Sequence, residues 1–327
     1  MSHRIGVLGA GAWGTALAVS AARAGQSVEL WSRFAPWAER LRSARENARD
    51  LPGVRLPDAI VATADAEALR GVDLILAAVP AQALRDTLLT LGPTIRAGTP
   101  VVVCAKGLER GTGAAMRDIV RACCPGCPPA ALSGPSFAAD VGAGLPTAVT
   151  VAAEDLRLAE RIARRLATPT FRLYHTDDLV GVEIGGAAKN VLAIACGIAA
   201  GRGLGASAQA ALMARAFSEL SRFGRASGAR PETLMGLSGL GDLVLTCGSA
   251  QSRNHAFGQA LGQGAETLSA TRGKLIEGVA TAPVLQAAAR RLGVEMPIVD
   301  SVAAVLAGRS SVAGAIEALL ARPPRAE

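Results

Sequence analysis

Aromatic residues make up only 3% of this 327-residue chain, and histidine occurs three times, at His3, His175 and His255, each standing alone. No cluster is left from which a histidine-rich metal site is built. Cysteine is sparse too, with six residues at 104, 123, 124, 127, 196 and 247, and only Cys124-Pro-Gly-Cys127 has metal-like spacing. It lacks the second Cys or His pair that structural zinc requires, so no metal is expected and the role of Cys124 and Cys127 stays open. The net charge is +7 and the pI near 9.6, yet no block of Lys and Arg interleaved with aromatics occurs. Nucleic acid is therefore not the expected partner; a small anionic ligand suits the charge better. The uncharged run after Asn190 falls well short of the roughly 20 residues a bilayer requires, so no integral membrane segment is expected. Residues 1–4 lead directly into a strand-like run and a glycine loop, leaving no space for a signal peptide, so a cytoplasmic location is expected.

What the chain has in quantity is small and aliphatic side chains. Half of it is hydrophobic, and with so few aromatics that mass is mostly alanine, leucine and valine. These pack helices and parallel strands, and the length allows two domains with a substantial core. The expectation is a soluble α/β protein.

Ile5-Gly-Val-Leu-Gly9-Ala-Gly11-Ala12-Trp13-Gly14 reads as a short strand, a Gly-x-Gly-x-x-Gly turn and an alanine-rich helix to about Ala24. The first glycine allows the tight turn, the second lets backbone approach a pyrophosphate, and the third lets helix and strand pack closely. Free N–H groups and the helix dipole would hold the anion. Val28 to Arg33 is the natural second strand. An NAD-selective site places Asp or Glu at its end, whereas this chain has Ser32 and Arg33. An arginine there pairs with a 2′-phosphate, so NADP(H) is expected to be accepted alongside NAD(H); a solvated arginine at a strand end is the alternative.

Asp73 to Pro80 and Pro100 to Gly107 are continuous apolar strands of the kind buried on both faces of a parallel sheet. Ligands collect at the carboxyl ends of such strands, where Lys106 falls. Ala130 to Ala138 repeats the strand-then-glycine pattern, with Gly134 and Ser136 in the turn. Further strands are expected from Pro146 and over Thr170 to Tyr174, with an amphipathic helix over Asp155 to Ala167 between them. Strand signals then stop. The chain is expected to divide into a doubly wound Rossmann-type domain, residues 1–188, and an all-α domain, residues 189–327, with a loose tail from Arg322.

The stretch Glu183 to Gly201 is apolar on every side except at Lys189 and Asn190. A helix with no polar side is a buried helix. An unpaired ammonium inside a protein is costly, so a lysine kept there has an anionic partner or a chemical task; the alternative is that it snorkels to the surface along its methylenes. Downstream, Gly236 to Thr246 is glycine-rich and carries one carboxylate, Asp242. Ser252-Arg253-Asn254 opens a helix, with Ser252 a fair N-cap and Arg253 and Asn254 suited to a phosphate. Glu277 faces either a site or water.

In order and spacing, Gly9-Ala-Gly-Ala-Trp-Gly14, Gly134-Pro-Ser-Phe-Ala138, Lys189-Asn190, Gly236-Leu-Ser-Gly-Leu-Gly-Asp242, Ser252-Arg-Asn254 and Glu277-Gly-Val279 together resemble the bacterial NAD(P)-dependent glycerol-3-phosphate dehydrogenases, from Ile5 to about Val305. One departure is Ala188, where relatives carry a larger aliphatic residue. The resemblance implies Lys189 as proton donor and acceptor. It implies substrate contacts from Lys106, Gly134, Ser136, Lys189, Asp242, Ser252, Arg253 and Asn254. It also implies dinucleotide contacts from Gly9, Gly11, Ala12, Trp13, Gly14, Ser32, Arg33, Lys106, Ala138, Arg253, Leu275 and Glu277. Dihydroxyacetone phosphate and sn-glycerol 3-phosphate are the implied substrates, with phospholipid synthesis as the destination and a homodimer as a candidate assembly. Two rivals remain: a hydroxyacid or sugar-acid dehydrogenase, and a non-catalytic NAD(P)-sensing protein on the same fold.

Overall fold

The computed structural model describes residues 3–271 and 275–323; the last residues of the expected tail, 324–327, lie outside them. The chain divides into two compact units, Met1–Lys106 with Ala114–Glu183, and Gly107–Gly113 with Ile184–Glu327.

The first unit is built on an eight-stranded sheet. Its strands are β1 (Arg4–Leu8), β2 (Ser27–Trp31), β5 (Ile60–Thr63), β6 (Leu74–Ala77), β7 (Val101–Val103), β8 (Pro129–Ser133), β9 (Thr147–Ala153) and β10 (Phe171–Thr176). A separate antiparallel hairpin joins β3 (Glu46–Asn47) to β4 (Leu51–Arg55). The sheet order is β5-β2-β1-β6-β7-β8-β9-β10. All neighbours are parallel except β8 and β9. Ile5 of β1 pairs with Val28 on one side and Leu74 on the other, so the strand order reverses at β1 and β6, the switch point where such sheets bind ligands.

Both faces of the sheet are covered, and the side-chain period of two sorts its residues between them. Leu74, Leu76 and Val102 join Ile5, Val7, Ala16 and Leu17 on one face. Ile75, Ala77, Val101 and Val103 join Leu8, Leu84, Leu88, Met116 and Ile119 on the other. Each fully buried leucine or valine in these layers contributes about 1.5–3 kcal/mol.

Among the described residues the regular elements of the second unit beyond Gly107–Gly113 are helices. Its axis is the helix Leu179–Gly201, which begins in the first unit. This is the one helix among the described residues long and apolar enough to span a bilayer, and nearly all of it is buried inside the protein. Its Gly197 and Gly201 meet Gly258 and Gly262 of the helix Arg253–Gly262. A Cβ on Gly197 would lie 2.1 Å from the His255 carbonyl oxygen, and one on Gly258 2.1 Å from that of Ile194. Only glycine lets the two backbones approach so closely, and that approach sets which side chains face each other further along.

Candidate active site

In the first unit the three glycines of the N-terminal turn do three different jobs. Gly9 has φ +105°, and a Cβ there would sit 3.1 Å from the Ala78 backbone. Gly14 is the packing glycine: its Cβ would lie 1.8 Å from the Gly9 carbonyl oxygen. A Cβ on Gly11 meets nothing within 4 Å. Gly11 is also the N-cap of the helix Ala12–Arg23 and offers no side-chain cap, so the first amides of that helix, at Ala12 and Trp13, are left for an external acceptor. Open space above unsatisfied N–H groups is what a pyrophosphate requires, and the residues present fit a dinucleotide.

Two supports of this turn were not read from the sequence. Asn47 Nδ2, on the small hairpin, donates to the Ala10 carbonyl at 3.2 Å and to Thr15 Oγ1 at 2.8 Å. Trp37 Nε1 reaches the same carbonyl at 3.4 Å.

At the end of β2, Ser32 is buried and its hydroxyl accepts the Phe34 amide at 3.3 Å. Arg33 is exposed, its guanidinium 4.7 Å from the Phe34 ring centre. A surface arginine beside the strand that follows the glycine turn is available to a 2′-phosphate. Lys106 stands beyond β7, and its Nζ donates to the Gly134 carbonyl at 3.4 Å, an acceptor shared with Ser136 Oγ at 3.1 Å. Gly134 has φ +146°, and a Cβ would lie 2.8 Å from Val149 Cα. Ala138 begins the next helix, Ala138–Ala143.

In the second unit Lys189 is 7% exposed. Its Nζ pairs with Asp242 Oδ1 and donates to Thr246 Oγ1 at 2.7 Å. Thr246 in turn lies 3.3 Å from Asp242 Oδ1. Asp242 starts the helix Asp242–Gly248, directly after the π-helical turn Leu237–Gly241. Gly185 lets that turn come close, since a Cβ on it would be 2.4 Å from the Ser238 carbonyl oxygen. Thr246 was missed in the sequence, although it sits four residues after Asp242 and therefore on the same helix face.

Ser252 is the N-cap of the helix Arg253–Gly262, its hydroxyl accepting the His255 amide at 3.2 Å. Arg253 is exposed and Asn254 buried. Asn254 Nδ2 donates to Asn190 Oδ1 at 3.0 Å, and its Oδ1 accepts the Gly278 amide at 2.9 Å. Asn190, noticed for its polarity but given no role, thus orients the Asn254 amide. Leu275 is 44% exposed, and Glu277 begins the helix Glu277–Arg291.

Known proteins add a family to this geometry. Residues 4–159 match the family model for the N-terminus of NAD-dependent glycerol-3-phosphate dehydrogenase, and residues 178–317 that for its C-terminus. The chain is 61% identical to the glycerol-3-phosphate dehydrogenase [NAD(P)+] of Azorhizobium caulinodans over 99% of this chain and 98% of that one. It is 59% identical to the enzyme of the same name from Methylobacterium radiotolerans, with the same coverage. The crystal structure of glycerol-3-phosphate dehydrogenase from Coxiella burnetii superposes with a TM-score of 0.94 at 40% identity, covering 98% of this chain and 99% of that one.

Proposed function

The chain belongs to the NAD-dependent glycerol-3-phosphate dehydrogenase family and is an NAD(P)-dependent oxidoreductase of the CH–OH group of glycerol 3-phosphate, and from that premise we propose that Lys189 is its proton donor and acceptor. The observation that carries the proposal is the buried ammonium held between Asp242 and Thr246. Reduction of dihydroxyacetone phosphate puts negative charge on the former carbonyl oxygen. A cation already fixed in a dry setting stabilises that charge and then gives up a proton to it. In the reverse direction the neutral amine takes the proton from the substrate hydroxyl. Asp242 and Thr246 hold the Lys189 ammonium and so fix its aim.

The bound nicotinamide supplies or accepts the hydride. Its dinucleotide is assigned to Gly9, Gly11, Ala12, Trp13 and Gly14, with Ser32 and Arg33 toward the ribose and Lys106, Ala138, Arg253, Leu275 and Glu277 as further contacts. The substrate phosphate is assigned to Ser252, Arg253 and Asn254. Ser252 has a hydroxyl proton left to donate, Asn254 its second amide N–H, and the helix Arg253–Gly262 its first-turn amides. Lys106, Gly134 and Ser136 complete the substrate assignment. Binding energy collected at the phosphate orients the distant reacting carbon.

The same reading divides the chain near residue 188 into a dinucleotide-binding and a substrate-binding part. It has the enzyme working in the cytoplasm with a homodimer as its candidate assembly, supplying glycerol phosphate to phospholipid synthesis, with no nucleic acid as partner and no integral membrane segment. A spectrophotometric assay tests the substrate assignment. NADPH should be consumed with dihydroxyacetone phosphate and spared with a carboxylate analogue of the same length; equal turnover of the two would favour a hydroxyacid dehydrogenase.

A further inference from the structure

Cys124-Pro-Gly-Cys127 takes no part in the chemistry above, yet its geometry is well defined. The segment follows the helix Met116–Cys123 and forms a turn closed by the Cys127 amide donating to the Cys124 carbonyl at 3.0 Å. Gly126, at φ +90°, supplies the left-handed third position of a type II turn, and Pro125 the second. Such a turn holds its outer Cα atoms within about 7 Å, and a disulfide spans about 4.4–6.8 Å.

The two side chains lie close enough for each to act on the other's ionisation. Both residues are buried, the Cys127 sulfur 3.8 Å from the Arg96 carbonyl oxygen. Gly92 leaves room for the pair, since a Cβ there would be 3.0 Å from Cys124 Sγ. The turn precedes the amino end of β8, whereas the cofactor turn follows the carboxyl end of β1.

We propose that Cys124 and Cys127 form a reversible dithiol–disulfide site, oxidised by peroxide-class two-electron oxidants and independent of the dehydrogenase reaction. Burial pushes the Cys124 thiol up to about 12. Burial raises the Cys127 thiol as well, an effect that its interaction with Cys124 partly offsets, so Cys127 is the more readily ionised of the two and the attacking sulfur. Its thiolate attacks one oxygen of hydrogen peroxide, the O–O bond breaks, and the departing hydroxide takes a proton to become water. The Cys124 sulfur then attacks the Cys127 sulfenic acid. The S–S bond forms as the S–OH bond breaks, and the displaced hydroxyl leaves as a second water with the Cys124 proton. The two thiols lose two electrons and two protons, and the peroxide accepts both.

Peptide mapping of the folded, full-length protein after hydrogen peroxide treatment and alkylation tests this. The peptide holding Cys124 and Cys127 should be lighter by two hydrogens and unalkylated at both residues, and dithiothreitol should restore both thiols. In Cys124→Ser a sulfenic-acid probe such as dimedone should accumulate on Cys127, while NADPH-dependent activity stays at the wild-type level. The proposal is overturned if both thiols remain alkylatable. It also fails if the disulfide maps instead to Cys196 and Cys247, the other mutually interacting cysteines, or if the probe misses Cys127 in the variant.

Discussion

Lys189 and Asp242 stand 53 residues apart in sequence and form a direct ion pair in the interior, the side chains 8% and 1% exposed. Burying two charges is costly, and a pair in this setting is often no more stabilising than apolar residues of the same volume. Removing one partner costs about 3–5 kcal/mol, because the other charge is left uncompensated. Stability alone therefore gives little reason to build this pair. The proton-donor role proposed for Lys189 gives a good one.

Arg253→Ala tests the phosphate assignment. Arg253 is exposed and follows the N-cap Ser252, so the substitution should leave the fold intact. A charge-assisted hydrogen bond is worth about 1.5–3 kcal/mol. The KM for dihydroxyacetone phosphate should rise by roughly 10- to 150-fold; steady-state kinetics with an unchanged KM would remove Arg253 from the substrate site.

Gly11→Ala and Gly14→Ala should fail in different ways. The new methyl at Gly11 meets open space with φ at −82°, so thermal stability should hold while NADPH affinity, read by fluorescence titration, drops as the methyl fills the phosphate position. At Gly14 the methyl would overlap the Gly9 carbonyl oxygen, so the unfolding temperature itself should fall. Equal NADPH affinity in Gly11→Ala and wild type would argue against the pyrophosphate site.

Arg33→Ala should separate the two cofactors. The side chain is exposed beside Phe34, and its proposed partner is the 2′-phosphate, which only NADP(H) carries. The KM for NADPH should rise about tenfold or more, with that for NADH nearly constant. A wild type strongly preferring NADH, with the preference unchanged in the variant, would contradict the assignment.

Glu219 predicts a pH dependence of stability. Its carboxylate accepts the Ile298 amide at 2.7 Å and the Val299 amide at 3.3 Å. Burial nevertheless raises its pKa from 4.5 to about 7. Between those values the unfolded chain has lost the proton and the folded chain keeps it. This group's contribution is therefore complete below 4.5 and declines as the pH climbs to about 7. The loss is at most roughly 3 kcal/mol. Denaturant unfolding across that window should show a declining component in wild type that Glu219→Gln lacks; identical slopes would place the titration elsewhere.

The cofactor half was largely legible because its signals are local. Three glycines, an apolar strand and a helix within the first 24 residues define one turn, and Leu74–Ala77 is apolar throughout because it is covered on both faces. β5 escaped notice because it has only four residues at the sheet edge. Nothing in Thr147–Ala153 announces that β9 runs antiparallel to β8. The buried Lys189 and the Ser252 cap were both readable, one from an apolar surround and the other from its own side chain. The Lys189–Asp242–Thr246 contact and the Asn190–Asn254 contact were not. They depend on glycine-mediated backbone approaches between helices distant in sequence, which periodicity does not encode.

Turnover of Lys189→Met, measured with saturating NADPH and dihydroxyacetone phosphate, bears most directly on the proton-donor assignment. The variant should still fold, at lower stability than the wild type, and bind NADPH, while kcat falls by about 100- to 10,000-fold, the range general acid catalysis supplies. A folded Lys189→Met enzyme that turns over within a few-fold of wild type would contradict the account.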